Sequence, residues 1–226
     1  MKTSRLHLLP IVFVTMLFSC SGGNNDLDKS GLKGKVSGYT EYWFEAKHDD
    51  GKWVAGAPVY FGNRIMKFNQ EGNYVGSTIL TEKGDPVGFI ECRWEDGELK
   101  EEVFHSNSDS RTSKTMYEKI SDTEIHFEIR DGDRLIFEGA TFLDSRGRIV
   151  RQAQVVNDSE VNNYYVYKKD LMIKFYQEDL TGVRTITHLY EYEDVDKKGN
   201  WTARLVYPED EKIVPKFYVT REYTYY

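Results

Sequence analysis

Apolar and polar residues alternate with a period of two along most of the chain beyond its first twenty residues. Ile125, Phe127 and Ile129 occupy one phase of such a run, and charged residues or histidine occupy the other. Residues 190–193 repeat the pattern as Tyr-Glu-Tyr-Glu. A two-residue period puts successive side chains on opposite faces of a β-strand, and no later segment sustains an apolar stripe at helical spacing. The pattern predicts roughly a dozen strands of about five to eight residues.

Glycine-centred turns separate these predicted strands. One motif places an apolar residue, three polar residues, Gly and a further polar residue ahead of the next strand. It occurs at Phe68–Val75, Leu80–Val87, Leu143–Val150 and Val195–Thr202. Shorter Asp-Gly pairs, a strong hairpin signal, stand at 50–51, 96–97 and 131–132. Glycine suits these places because such turns require a positive φ. The predicted turn glycines are Gly72, Gly84, Gly97, Gly132, Gly147 and Gly199.

Strands joined by short loops normally pair with their sequence neighbours, so we expect an all-β fold made of one long antiparallel meander of repeated hairpins. A meander of this length cannot stay flat, because adjacent strands twist by roughly 20–25°. We therefore expect a curled single sheet or an open barrel. Its outermost strands would lie near Val36–Ala46 and Phe217–Tyr226. The second is long and aromatic, and an exposed edge of that kind invites pairing with another chain.

Three segments resemble known repeat families. Residues 94–102 (WEDGELKEE) look like the tandem units of MORN-type repeat proteins, whereas Leu143–Val150 and Tyr192–Leu205 look like the YD-type repeats of RHS proteins. Lipoproteins with such modules, many of unknown function, are common in gut-type Gram-negative bacteria. The resemblance implies a β-repeat fold far more than it implies a function.

The N-terminus is typical of a secretory signal. Lys2 and Arg5 precede an apolar run, Leu8–Phe18, that is too short to span a bilayer. The run ends in Leu17-Phe18-Ser19-Cys20, which resembles the lipobox of bacterial lipoproteins. That resemblance implies cleavage before Cys20 and lipidation of its thiol, which would hold the mature protein on a membrane.

These features divide the chain into three parts. Residues 1–19 are predicted as a lipoprotein signal peptide, residues 20–33 as a lipidated flexible tether, and residues 34–226 as a single β-meander repeat domain. The tether prediction depends on a composition of Gly, Ser, Asn and Asp with little apolar content. Localisation in the cell envelope follows, lipid-anchored at the outer membrane, with the periplasmic and surface faces both open.

Charge and cysteine content narrow the function classes. The chain of 226 residues carries a net charge of −7, and removal of residues 1–19 takes away two cations to leave −9. Because phosphate contacts need clustered Lys and Arg, this balance argues against a nucleic-acid partner. If Cys20 carries lipid, Cys92 has no disulfide partner, and its place in a strand-like run predicts a buried, inert thiol.

No catalytic or metal-binding motif emerges from the remaining residues. The histidines of the predicted mature chain, His48, His105, His126 and His188, are not at metal-ligand spacing, and no cofactor is expected. Paired carboxylates for glycoside hydrolysis could come from Glu91, Glu128, Glu138 or Glu191, but no pair stands out. Trp53 follows a predicted turn and is the tryptophan most suited to stack on a ligand. Trp43, Trp94 and Trp201 are expected to pack.

The sequence therefore favours a membrane-anchored envelope lipoprotein that acts as a binding or structural module for a protein or glycan partner, and not as an enzyme. The alternative is a secreted carbohydrate-active enzyme or accessory subunit that uses paired carboxylates. A third hypothesis, an immunity or chaperone role against a toxin, depends on the MORN-type resemblance alone.

Overall fold

The computed structural model describes residues 25–156, 159–208 and 212–226. The predicted signal peptide and Cys20 lie outside this range. One short helix, α1 (Asp26–Lys29), precedes the strands. The strands are β1 (Val36–Asp49), β2 (Lys52–Pro58), β3 (Arg64–Phe68), β4 (Tyr74–Leu80), β5 (Pro86–Glu95), β6 (Glu98–Ser106), β7 (Thr112–Ser121), β8 (Glu124–Asp131), β9 (Arg134–Leu143), β10 (Ile149–Val156), β11 (Ser159–Lys168), β12 (Leu171–Asp179), β13 (Arg184–Val195), β14 (Trp201–Tyr207) and β15 (Phe217–Tyr225). In the described part of the chain, no helix has the length and hydrophobicity to span a bilayer.

All the strands belong to one antiparallel sheet. From β3 to β15 each strand pairs with its neighbours in sequence, β3 pairs with the first half of β1, and β15 pairs with β1 from Val36 to Glu45. Fourteen strands thus form a closed barrel, and β2 folds back on the second half of β1 as a hairpin arm. The predicted all-β antiparallel meander is confirmed.

Two finer predictions are corrected by this closure. The sheet is neither an open ribbon nor an open barrel, and the aromatic strand Phe217–Tyr225 is not a free edge. Its partner is β1, with Glu41 opposite Arg221 and Trp43 opposite Val219. Closure is favourable because it pairs the N–H and C=O groups that both end strands would otherwise leave unpaired.

The alternating pattern separates the inside of the barrel from its outside. Ile125, Phe127 and Ile129 on β8 are buried, whereas His126 between them is exposed. The inward side chains form three apolar clusters, centred on Tyr39 and Phe68, on Phe127, and on Trp201 and Phe217. The interior is thus packed with side chains that follow the two-residue period.

One end of the barrel is covered by residues 25–35, and we call it the capped end. Leu27 and Leu32 are buried there in the cluster around Tyr39. The Leu27 amide donates to the carbonyl of Gly72, and the Tyr74 amide donates to the Asp26 carboxylate at 2.9 Å. The prediction of a flexible tether is therefore wrong for residues 25–33, because two leucines and one carboxylate find buried partners that lie far along the chain.

The repeated glycine turns have the backbone that their sequence predicts. All six predicted turn glycines have positive φ, from +59° at Gly132 to +85° at Gly72, Gly84 and Gly199. Four of these turns lie at the capped end, and three of them pack against the capping segment, with Gly72, Gly147 and Gly199 against Asn25, Lys29 and Lys33 respectively. At Gly72 the φ of +85° and a Cβ position 2.6 Å from the Asn25 side chain both favour glycine.

Candidate functional site

The buried charges of the barrel gather where its first and last strands meet. Glu41 on β1 is directly opposite Arg64 on β3 and Arg221 on β15. Because directly opposite residues of an antiparallel pair share a face, all three side chains point into the barrel with Tyr39 and Trp43. Three adjacent strands thus bring one carboxylate and two guanidinium groups together, and we call this group with Arg204 the arginine cluster.

Hydrogen bonds saturate the Glu41 carboxylate. Arg221 Nε donates to Oε2 at 2.7 Å, while Arg64 Nη2 and Trp43 Nε1 each donate to Oε1 at 3.1 Å. Arg204 Nη2 on β14 stands 3.9 Å from Oε2. Burial by itself raises the pKa of Glu41, but the charges of Arg221, Arg64 and Arg204 together outweigh it and leave the pKa well below its usual range.

Aromatic rings stack on two of the arginines, Arg221 and Arg204. The guanidinium carbon of Arg221 lies 4.1 Å from the ring centre of Tyr39 and 4.0 Å from that of Trp201. Arg204 lies 4.5 Å from Trp201 and 4.7 Å from Tyr190. Cation–π contacts of this kind favour a desolvated guanidinium, so the rings help to hold the charges away from water.

A second buried carboxylate, Glu102 on β6, has a different environment. Tyr117 Oη donates to its Oε2 at 2.8 Å, and its cross-strand neighbours are Cys92 and Thr115. Burial raises the pKa of Glu102 to about 7, which the hydrogen bond from Tyr117 only partly opposes. Burial, followed by the charges of Glu102 and Asp26, also raises the pKa of the Cys92 thiol, so this cysteine is poorly suited to act as a nucleophile.

The carboxylates considered for hydrolysis lie on the outside of the barrel and are dispersed. Glu91 is 3.1 Å from His105, and Glu191 accepts hydrogen bonds from Tyr207 and Lys212. Glu128 and Glu138 do face each other across β8 and β9, but Glu128 is bound by Arg130. Glu91, Glu128 and Glu191 thus form ion pairs on the outer face of the sheet, and Glu138 is the cross-strand neighbour of Glu128.

Charged side chains also cover the outward face of the neighbouring strands. Lys114 and Arg93 both approach Glu101, at 3.6 Å and 3.8 Å, and Arg130 approaches Glu128 at 2.8 Å. Exposed apolar side chains, among them Phe89 and Ile136, stand between these charged groups, so the outward face of β5 to β9 is mixed in character. In the residues that the structure describes, no three His, Cys, Asp or Glu side chains converge as metal ligands.

The tryptophans occupy several environments. Trp201 is buried, and Trp43 and Trp94 pack against the apolar clusters. Trp53 is half-buried on β2, with its ring 5.0 Å from that of His48 on β1 in an edge-on contact. Its role as a ligand-stacking residue stays a prediction.

Large exposed apolar side chains gather at the end of the barrel opposite the capped end, which we call the loop end. Hairpin connections alternate between the two ends, so residues 59–63, 180–183 and 212–216 all lie there. The exposed fractions are large: Tyr60 65%, Leu180 64%, Val183 58%, Ile213 69% and Val214 59%. Sequence reasoning missed this surface, because its members are short apolar pairs in separate loops.

A cavity of about 440 Å³ lies at the capped end. Its lining comes from residues 25–36, from the turn that contains Asn69 and Gln70, and from Tyr226. Leu27, Leu32 and Val36 form its apolar part, while Asp28, Lys33 and Lys35 are polar. The cavity is thus bordered by both the capping segment and the β3–β4 turn, which also contact each other through the Leu27–Gly72 hydrogen bond.

Comparisons with known proteins do not identify the chain. No family model matches it, and no curated protein matches it. Among solved structures, a porin-like protein from Bacteroides vulgatus is 16% identical with a TM-score of 0.45, and the alignment covers 84% of this chain and 99% of that one. A porin-like protein from Bacteroides uniformis is 11% identical with a TM-score of 0.45, and the alignment covers 85% and 99%.

Proposed function

We propose that this chain is a lipid-anchored protein of the cell envelope whose barrel binds another envelope protein through the loop end. The proposal combines the predicted anchor at Cys20 with one structural observation, the contrast between the two ends of the barrel. Residues 25–35 cover one end, and five strongly exposed apolar side chains project from the other.

Exposed apolar side chains that lie near one another commonly mark protein-binding surfaces. At the loop end they are mainly aliphatic, as in Leu180, Val183, Ile213 and Val214, which favours a protein partner over a glycan. Phe61 connects this surface to the barrel wall, because its ring lies 5.3 Å from Phe217 and 5.9 Å from Trp43. Part of the surface is therefore held by the core.

The position of the capped end supports this orientation. Four residues separate Cys20 from Asn25, and a chain of that length reaches at most about 17 Å when extended. A lipid on Cys20 would thus keep the capped end next to the membrane, on the outer membrane in our proposal. The loop end would face away from the bilayer, where a partner could reach it.

Among the residues that the structure describes, the carboxylates considered for catalysis are poorly placed for it. Glu91, Glu128, Glu138 and Glu191 form outward ion pairs or cross-strand pairs, and the carboxylates with raised pKa, Glu102 and Asp26, are buried inside the barrel. A glycosidase needs two carboxylates on either side of an accessible sugar. We therefore propose a binding role in preference to catalysis.

The test is affinity capture from envelope extract, with the mature chain as bait and mass spectrometry as the readout. The bait variant Leu180→Asp/Ile213→Asp puts two charges on the loop end. The matched control, Val195→Asp, changes a residue of similar exposure, 58%, next to the capped end. We expect the wild type and the control to retain the same partner protein, and the loop-end variant to lose it at least tenfold.

Equal capture by all three baits would contradict binding through the loop end, and recovery of membrane debris alone would contradict the binding role. Anchoring has its own test. Cys20→Ser should move the protein from the membrane fraction to the soluble fraction of lysed cells, whereas a variant that stays with the membrane would contradict a lipid on Cys20.

A further inference from the structure

The arginine cluster carries more positive than negative charge inside the barrel. Arg64, Arg204 and Arg221 all lie within 3.9 Å of the single carboxylate of Glu41. His188 does not change the balance, because burial, followed by the charges of Arg204 and Lys216, lowers its pKa to about 4 and leaves it neutral. Glu102, the inward carboxylate of β6, lies three strands from Arg64 and four strands from Glu41 in the sheet. Two positive charges therefore have no matching carboxylate in the cluster.

Donor groups of the same cluster are also unused. Among the residues that the structure describes, the Nε groups of Arg64 and Arg204 are buried and have no hydrogen-bond acceptor. The side chains of Arg204 and Arg64 are 6% and 19% exposed, so both are largely withdrawn from bulk water. Buried N–H groups, above all charged ones, normally have an acceptor, because leaving one unpaired in a low-dielectric interior is costly.

We propose that a small inorganic anion, chloride at physiological salt, binds inside the barrel against the Nε groups of Arg64 and Arg204. The anion would accept from both donors and cancel part of the excess positive charge. Arg64 Nη2 lies 3.1 Å from Oε1 of Glu41 and Arg204 Nη2 lies 3.9 Å from Oε2, so both guanidinium groups are held near one carboxylate. The rings of Tyr39, Trp43, Tyr190 and Trp201 lie 4.0–5.7 Å from the guanidinium carbons of Arg204 and Arg221, so a small ion suits these apolar surroundings better than an organic ligand does.

The site would also join the two ends of the chain. Arg64 belongs to β3 and Arg204 to β14, on either side of the pair of strands, β1 and β15, that closes the barrel. An anion shared by these arginines would stabilise closure, so its effect should appear in the stability of the whole barrel. This inference is independent of the proposed partner protein.

The direct test is anomalous diffraction from crystals of the mature chain soaked in sodium bromide. We expect a bromide peak at hydrogen-bonding distance from Arg64 Nε and Arg204 Nε. In solution, the melting temperature should rise with chloride and saturate, when chloride replaces gluconate at constant sodium concentration. Absence of the peak would overturn the proposal, and so would a peak without a saturable shift, which would mean binding at crystal concentration only.

Variants separate this site from general effects of salt. Arg204→Met should abolish the saturable chloride response, whereas Arg151→Met, which removes an arginine that stacks on Phe142 outside the cluster, should leave it unchanged. Glu41→Gln removes the competing carboxylate and should lower the half-saturating chloride concentration at least threefold. This second variant keeps the proposal testable if Arg204→Met fails to fold, and an unchanged half-saturation in Glu41→Gln would contradict the site.

Discussion

Glu41 and Glu102 are both buried inside the same barrel, yet their carboxyl groups respond to burial in opposite ways. Glu41 is fully buried and Glu102 is 4% exposed. The pKa of Glu41 is lowered because three arginines surround it, whereas the pKa of Glu102 rises to about 7 because it has a tyrosine hydroxyl and no cation. The comparison teaches that the partners of a buried acid, and not its depth, decide whether it is charged.

The two acids also differ in the part of the fold that they hold. Glu41 accepts from Arg221, 180 positions away in sequence, so its ion pairs cross the strands that close the barrel. Glu102 accepts from Tyr117, only 15 positions away, and links the adjacent strands β6 and β7. Loss of the first set of contacts should therefore weaken the closure of the whole barrel, and loss of the second should act locally.

The largest expected effect comes from removing a partner of Glu41. Arg221→Met leaves a buried carboxylate with fewer cations and should lower the free energy of unfolding by about 3 kcal/mol at pH 5. Glu102→Gln at the same pH should change it by less than about 1 kcal/mol, because a neutral acid is replaced by a neutral amide. Urea unfolding measures the free energy of unfolding of both variants. Equal losses of stability in Arg221→Met and Glu102→Gln would contradict the contrast between the two sites.

A pH series sharpens the comparison. Between about pH 4.5 and pH 7 the unfolded chain has released the Glu102 proton and the folded chain still holds it, so stability falls as pH rises through this window. The raised pKa of Glu102 corresponds to a loss of about 3 kcal/mol across the window. Glu102→Gln should remove this slope and be the more stable protein at pH 8.

Burial raises the pKa of Asp26 to about 6, so Asp26 also makes stability fall as pH rises. The difference in unfolding free energy between wild type and Glu102→Gln removes this shared contribution and isolates Glu102. The contribution of Glu41 to stability depends on pH with the opposite sign. Its stabilisation is fully present above about pH 4.5 and is lost only as pH falls below that value. Wild type and Glu102→Gln should differ in their free energy of unfolding by an amount that changes with pH. If that difference stays the same from pH 5 to pH 8, Glu102 is ionised in the folded state, which would contradict its raised pKa.

The smallest effect belongs to the single hydrogen bond at Glu102. Tyr117→Phe removes the donor and keeps the ring, so it should raise the pKa of Glu102 further and cost about 1 kcal/mol. The cost should be greater at pH 8 than at pH 5, because the bond favours the ionised acid. Urea unfolding at the two pH values is the measurement, and a greater loss at pH 5 would contradict this reading of the pKa.

Much of the barrel could be predicted from local sequence, and the alternation around Phe127 with the turn at Gly147 shows why. Both are set by residues within one hairpin. Closure could not be predicted in this way, because the partner of Phe217–Tyr225 begins 181 positions before it at Val36. The segment around Leu27 was missed for the same reason, since its hydrogen bonds go to Gly72 and Tyr74.

The sequence contains an indication of the arginine cluster. Glu41 stands in phase with the apolar residues Tyr39 and Trp43, and Arg221 stands in phase with Val219 and Tyr223. A charge in the buried phase of a strand indicates a buried partner. The identity of that partner still depends on closure, so the pairing itself required the structure.

The pairing of β1 with β15 is the feature on which the cluster and the barrel both depend, and a disulfide tests it most directly. Tyr42→Cys and Thr220→Cys face each other on the outside of these strands, in a chain with Cys20→Ser and Cys92→Ala. Cross-strand Cα separations suit a disulfide. We expect an intramolecular bond on mild oxidation, and none in the matched Tyr42→Cys/Lys114→Cys variant. A free thiol pair, or disulfide-linked dimers alone, would contradict the closed barrel.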